Sequence, residues 1–515
     1  MTNNTKKRKH ESSQPSAADH HDGHDGKMFD DENIESVLFE EMTTVNSQLI
    51  SLANKVKLVD SRYFVYNSEI IDEFVGNIYE FLKQVDIHRK KVSSTRLNSD
   101  NLFSIFQFLN VNDLAYCRYV SKLWKDVVDR VEIQVNASKN VEFLVKSPQI
   151  KNVTSLKLSG ALVSSFQSLS RKGIRWDKLH TLDISGNNLI LSSVKHLTKC
   201  QMPNLTELSL RQLQKFKKTE ADALFGSAFM STVKKLDVSY NFDGIGSCLG
   251  TKYLKQITHL TSHTYGYRGN EFQNEVLKNK PNLEYLDIGN YQITDISLSN
   301  GNCKNLTYLK ITECSINNQD FANLLISPNL PNLTTVKWVN ANVQSYRNMV
   351  FDNTIAKFPP NSQSSITNLK LDDSNLAPFP SLIDHCPELK QLRLRPTKES
   401  QNVLSNYLNS TCLSNLEYLS IDGGNKELQI ICTNPILSNL KELRFTNIEE
   451  TSIDATILSN CTNLINLTKL EGNRKGKMKV TSECLQALKT NPTFSKLQTK
   501  DIYVQEETLK LENIR

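Results

Sequence analysis

No apolar run in this 515-residue chain approaches the ~18 residues of a membrane span, so no transmembrane helix is expected. Excess charge is scarce too: a net +6 over this length is too weak to argue for a nucleic-acid partner. The opening residues MTNNTKKRKHESSQ have no apolar core, so no secretory signal is expected. The ten cysteines, scattered from Cys117 to Cys484, are then expected to stay reduced. None shows zinc spacing. Gly-rich phosphate loops, HExxH and Gly-x-Ser-x-Gly are all missing. The histidines at 180, 196, 259, 263 and 385 are scattered. His259 and His263 are expected on one face, with no cysteine or carboxylate clearly joining them. No enzyme site, metal or cofactor is expected, and a binding protein is the better reading. Asn-Leu-Thr triplets at Asn204, Asn305, Asn332 and Asn466 match the glycosylation sequon, which carries no meaning without a secretory route.

What the chain does have is a repeat. Its length is too great for one compact core. An apolar residue, two others, an apolar residue, one other and an apolar residue recur: Val153/Leu156/Leu158, Leu179/Leu182/Ile184, Leu205/Leu208/Leu210 and Val233/Leu236/Val238. The pattern continues through Leu283/Leu286/Ile288, Leu306/Leu309/Ile311, Leu333/Val336/Trp338, Ile366/Leu369/Leu371, Leu389/Leu392/Leu394, Leu416/Leu419/Ile421 and Leu440/Leu443/Phe445. Degenerate copies sit at Ile257/Leu260 and Leu464/Leu467, with a terminal one at Phe494/Leu497. This resembles the leucine-rich repeat, whose period is ~20–29 residues. Each copy implies a short strand, a turn and a helical segment. Stacked copies form a curved solenoid with a parallel sheet on the concave side. Asn187 and Asn241 fall where that family places a ladder asparagine. Cys314 takes that position in its own copy, and Cys200, Cys303, Cys386 and Cys461 precede their strands. These resemble the cysteine-containing subclass of leucine-rich repeat, and they read as small buried hydrophobes. The long step from Leu333 to Ile366 predicts a loop leaving the solenoid edge around Pro359-Pro360.

Residues between the leucines are expected to point out of the concave sheet. From Lys310 to Arg395 that face turns basic, through Lys310, Lys337, Lys370, Arg393 and Arg395 against Asp372, with Tyr285 and Tyr308 beside it. The stretch reads either as a dock for an acidic or phosphorylated client segment, with Arg393 and Arg395 forking the anion, or as a solvated lysine-rich face. Trp338 occupies a core position.

Ahead of the repeats, Leu102, Ile105, Phe106 and Leu109 have the spacing of one helix face. Asp113 can cap a second helix bearing Leu114, Cys117 and Val120, and Ser121 a third with Trp124 and Val128. Together with Leu97 and Val120-Ser121-Lys122, these residues resemble the F-box, with Asn98 where that family has proline. The resemblance implies a docking surface for a Skp-type adaptor made of Leu97, Leu102, Ile105, Phe106, Leu109, Leu114, Val120 and Trp124. Through the adaptor it implies a cullin scaffold.

Four regions are expected: a disordered tail (1–27), a helical segment (28–95), an all-α F-box-like hairpin (96–135) and an α/β leucine-rich-repeat solenoid (136–510). In the tail, Lys6-Lys7-Arg8-Lys9 reads equally as a nuclear import signal or solvated charge. A cytoplasmic or nuclear location is expected. The stripe from Leu38 to Val56 reads as a dimerisation helix or a self-packing hairpin. By resemblance the chain is a non-catalytic substrate receptor of a Skp–cullin–F-box ubiquitin ligase. The rival reading is a repeat scaffold or inhibitor whose hairpin only caps the solenoid.

Overall fold

The computed structural model describes residues 102–103, 106, 114, 117–118, 122–137, 141–146, 148–158, 160–171, 173–241, 245–264, 280–293, 303–339, 355–374, 376–396, 401–445, 453–472, 478–498 and 502–504. All belong to the compact unit Ser99–Arg515. The expectations for the tail and for residues 28–95 lie outside the described residues.

Among the described residues, fourteen strands form one sheet in sequence order, every neighbouring pair parallel. They are β1 (Ile133–Ala137), β2 (Val153–Leu158), β3 (Thr181–Asp183), β4 (Glu207–Ser209), β5 (Lys235–Asp237), β6 (His259–His263) and β7 (Tyr285–Gly289). The rest are β8 (Tyr308–Thr312), β9 (Thr335–Val339), β10 (Asn368–Ser374), β11 (Gln391–Pro396), β12 (Tyr418–Ile421), β13 (Glu442–Phe445) and β14 (Lys469–Glu471). Leucine stands on leucine from strand to strand: Leu156, Leu182, Leu208, Leu236, Leu260 and Leu286 are successive partners. The first and third apolar positions of each copy close over the same rib. The apolar cluster therefore runs unbroken from Val141 to Ile502. This is the leucine-rich-repeat solenoid. Short helices such as Leu191–Leu197, Lys218–Phe225 and Asn425–Thr433 bring the chain back after each strand.

Polar ladders hold the turns. The Asn187 side-chain amide donates to Leu158 O (2.8 Å) and Ile184 O (2.7 Å), while its Oδ1 accepts from Ala161 N (2.6 Å). Asn241 repeats the arrangement with Leu210 O, Val238 O and Leu213 N. Cys314 holds the equivalent place: Tyr291 N donates to its sulfur (3.4 Å) and the thiol faces Ile288 O (3.8 Å). The residue just before each ladder position is left-handed, and Gly186 (φ 73°) takes that conformation without strain.

The Asn-Leu-Thr triplets form two further ladders that sequence reasoning missed. Asn204, Asn305, Asn332 and Asn466 each donate to a carbonyl of the preceding repeat, at Asp177, Pro281, Lys304 and Ser438. Thr206, Thr307, Thr334 and Thr468 do likewise, to His180, Glu284, Thr307 and Lys441. The triplet recurs because both of its polar residues bridge repeats.

Three expectations need correction. The copy read at Leu464/Leu467 is in register at Leu467/Leu470, because Leu443 pairs with Leu470. The sheet begins before the first recognised repeat, since β1 pairs with β2. The returning part of the long insertion lies against the solenoid: Gln319 and Lys357 exchange two hydrogen bonds (2.8 and 2.9 Å), and Phe358 stacks on His385 at 4.4 Å. Residues 340–354 lie outside the description. Trp338 is core, packed on Phe321 and Phe379.

None of the ten cysteines is in a disulfide, and nine are buried. Burial pushes Cys200, Cys314 and Cys386 up to about 12, far from the thiolate form that redox or metal chemistry requires. Lys280 is the exceptional core residue. It is fully buried with its ammonium on Leu249 O at 2.8 Å. Burial pushes it down from 10.5 to about 8.

Two outcomes are expected. Asn187→Ala strands buried backbone groups and should cost about 2–3 kcal/mol in denaturant unfolding, against under ~1 kcal/mol for the exposed Asn204→Ala. Between pH 8 and 10.5 the unfolded chain binds a proton at Lys280 that the native chain has released. Wild-type stability should therefore rise through that window relative to Lys280→Met, by up to ~3 kcal/mol. Parallel pH profiles for the two proteins would show Lys280 to be solvated.

Concave face and F-box segment

Because side chains alternate along a strand, two rows per repeat project from the concave side. The first reads His259, Tyr285, Tyr308 and Thr335 across β6–β9. The second reads Asp287, Lys310, Lys337, Lys370 and Arg393 across β7–β11. All seven expected client residues lie on these strands. Tyr285, Lys310, Lys337, Lys370 and Arg393 fall in the two rows, Tyr308 beside Tyr285, and Arg395 two residues beyond Arg393, opposite Asp372.

The basic row is not simply solvated. Asp287, only 7% exposed, takes Lys310 Nζ at 2.9 Å on one oxygen and His263 Nε2 at 2.9 Å on the other. Burial pushes its carboxyl up, but these hydrogen bonds outweigh it and hold Asp287 below its ordinary range. A carboxylate does therefore join His263, against expectation. Asp372, 4% exposed, sits between Lys370 Nζ and Arg393 Nε, each at 2.9 Å. Further along, Glu471 takes Arg444 and Lys469. Neighbouring strands stand ~4.8 Å apart, so a row of cations would repel itself without such carboxylates. Arg393 already has its Nε engaged, which leaves less of the arginine fork that the sequence suggested.

Tyr285 and Tyr308 stack at 4.4 Å with planes 10° apart. His259 covers the outer face of Tyr285 (5.4 Å), and Lys337 Nζ lies 5.0 Å over Tyr308. Burial and Asp287 push Tyr285 up to about 12, and burial raises Tyr308. Burial first, then Lys235, lowers His259. Beside this pile an open hollow of about 280 Å³ is lined by Thr181, Glu207, Lys235, Asp237, His259 and Tyr285 among others. Gly289 provides room for His263: a Cβ there would collide with the ring Nδ1. Sequence reading put Asp287 on the concave face but missed its pairing with His263 and Lys310, and it missed Gly289 and the His259 stack. The signal was cross-strand register, visible only when the copies are aligned row by row. Among the described residues, no three His, Cys, Asp or Glu side chains cluster as metal ligands, and no helix is long and apolar enough to cross a membrane.

At the other end, Leu102, Phe106, Leu114 and Cys117 are buried, as are Val127 and Val128 on the helix Lys122–Val128. Leu123 on that helix is 42% exposed. Arg118 grips Asp129 with two bonds of 2.9 and 3.0 Å, and Asn152 donates to Asp129 O at 2.8 Å. These contacts tie the segment to the start of β2. Of the expected adaptor residues, Leu102, Phe106 and Leu114 are thus core within this chain. Leu97, Ile105, Leu109, Val120 and the Trp124 side chain lie outside the described residues.

Residues 94–136 match the F-box domain family. The chain carries an F-box domain. Its C-terminal end is β1, so the domain and the sheet share a strand. No curated protein matches the chain. Among solved structures it is similar to a chain of the Rad7 and Elc1 complex from yeast, at 17% identity and TM-score 0.39, covering 81% of this chain and 99% of that one. It is also similar to internalin C2 of Listeria monocytogenes, at 19% identity and TM-score 0.23, covering 41% and 87%. A Bacteroides fragilis protein matches at 15% identity and TM-score 0.31, covering 53% and 76%.

Gly289→Ala should drive the His263 ring off Asp287. The imidazole resonances of His263 should shift, and stability should fall by about 1–2 kcal/mol, the scale of one hydrogen bond to a charged group. An unshifted His263 spectrum would mean that the ring has room to spare.

Proposed function

We propose that this protein is a non-catalytic substrate receptor of a Skp–cullin–F-box ubiquitin ligase, acting in the cytoplasm or nucleus. The observation that carries the reading is the F-box match at residues 94–136, continuous through β1 with a long solenoid. The F-box domain binds a Skp-type adaptor and, through it, a cullin. The concave face binds a protein client by an acidic or phosphorylated segment, over Tyr285, Tyr308, Lys310, Lys337, Lys370, Arg393 and Arg395. The chain then contributes proximity: it raises the concentration of client lysines near a conjugating enzyme carried elsewhere in the complex. Leu102, Phe106 and Leu114 serve this role by shaping the domain, and adaptor contact falls to the rest of the expected set, Leu97, Ile105, Leu109, Val120 and Trp124.

The burial of Leu102 and Phe106 and the bond from Asn152 to Asp129 favour one competitor, a repeat scaffold whose helical segment caps the sheet. A pull-down of the full chain with a Skp-type adaptor separates the two. Wild type should retain the adaptor. Leu109→Asp/Val120→Asp, checked for an unchanged solenoid melting transition, should lose it by tenfold or more, roughly the effect of desolvating a charge in an interface. No retention by the wild type would leave the cap.

A further inference from the structure

We infer that the middle of the concave face holds an anion seat built from Lys337, Tyr308 and Tyr285, and that a phosphorylated side chain of the client occupies it. The inference rests on the receptor reading above for the nature of its ligand.

Charge on the face locates the seat. Lys310, Lys337, Lys370 and Arg393 are direct cross-strand partners in one row. Asp287 neutralises Lys310, and Asp372 serves both Lys370 and Arg393. Four cations thus share two carboxylates, an excess of two positive charges. Lys337 stands between the two clamps, and among the described residues no carboxylate pairs with it. A phosphorylated side chain brings a charge of about −1.5 to −2 and three acceptor oxygens, which matches that excess. A single carboxylate leaves half of it uncompensated.

The aromatic pile supplies a hydrogen-bond donor. One face of Tyr285 is covered by His259, the tyrosines cover each other, and Lys337 lies over Tyr308. A client ring cannot slide between them, so what the pile offers an incoming group is its edges and hydroxyls. Both phenols keep their protons at neutral pH, as an ordinary phenol does, and burial disfavours the phenolate further. Tyr285 gives its hydroxyl hydrogen to the Tyr308 oxygen, so the seat combines one ammonium with the Tyr308 O–H as donor. It lies two to four strands away from Arg393, whose Nε is held by Asp372.

The test uses the immobilised full chain and three pools of degenerate nine-residue peptides, with a central phosphoserine, serine or glutamate. The phosphoserine pool should be retained at least about tenfold better than either other pool. Lys337→Met should remove about tenfold of that retention. Tyr308→Phe, which keeps the stack and removes only the hydroxyl, should remove about threefold. Lys157→Met, at the far end of the same face, should change nothing. Equal retention of the glutamate or serine pool, full retention by Lys337→Met, or equal loss in Lys157→Met would overturn the seat. Adaptor capture measured on the same preparations separates the two readings. Adaptor bound without phosphopeptide selection overturns the seat alone. Selection without adaptor overturns the receptor reading and upholds the seat.

Discussion

Everything in this fold depends on one constraint: a single repeat cannot bury its own leucines. A copy such as Leu179/Leu182/Ile184 is dry only because Leu156 lies below it and Leu208 above. Stacking then fixes the backbone of each turn against its neighbour, and its polar groups must be satisfied across the gap. Asn187, Asn241 and Cys314 do this from inside, and the Asn-Leu-Thr residues do it at the rim. The same demand explains Lys280. Its ammonium is held in the core by one carbonyl, at the expense of a depressed proton affinity.

The parallel sheet that results imposes its own electrostatics. It sets equivalent side chains of successive repeats side by side, so a chain that repeats lysine at one position builds a line of like charge. Asp287 and Asp372 interrupt that line from buried positions, Asp287 with His263 and Lys310, Asp372 with Lys370 and Arg393. The concave face is thereby divided into neutralised clamps and a cationic gap at Lys337, bordered by stacked tyrosines. A flat list of basic residues contains none of this division.

The F-box domain is part of the same construction. Its last segment becomes the first strand, and Arg118, Asp129 and Asn152 lock the join. On the proposed receptor reading, this join is what would set the distance between a client on the concave face and an adaptor.

The sequence by itself determined the solenoid, its strands and the ladder asparagines. Apolar spacing is local and each copy repeats the evidence of the last. It also placed every residue expected on the concave face on its strand, since alternation needs no knowledge of neighbours. It mis-set the copy at Leu464, where Leu464 and Leu467 mimic the spacing of Leu467 and Leu470 and only pairing with Leu443 chooses between them. It did not show that Asp287 binds His263 and Lys310, that Asp372 engages Arg393, or that Gly289 makes room for His263. Nor did it show that Leu102, Phe106 and Leu114 turn inward. Those outcomes belong to the tertiary structure, because each joins residues some twenty or more positions apart in the chain, or depends on which face of a short helix meets the rest of the molecule.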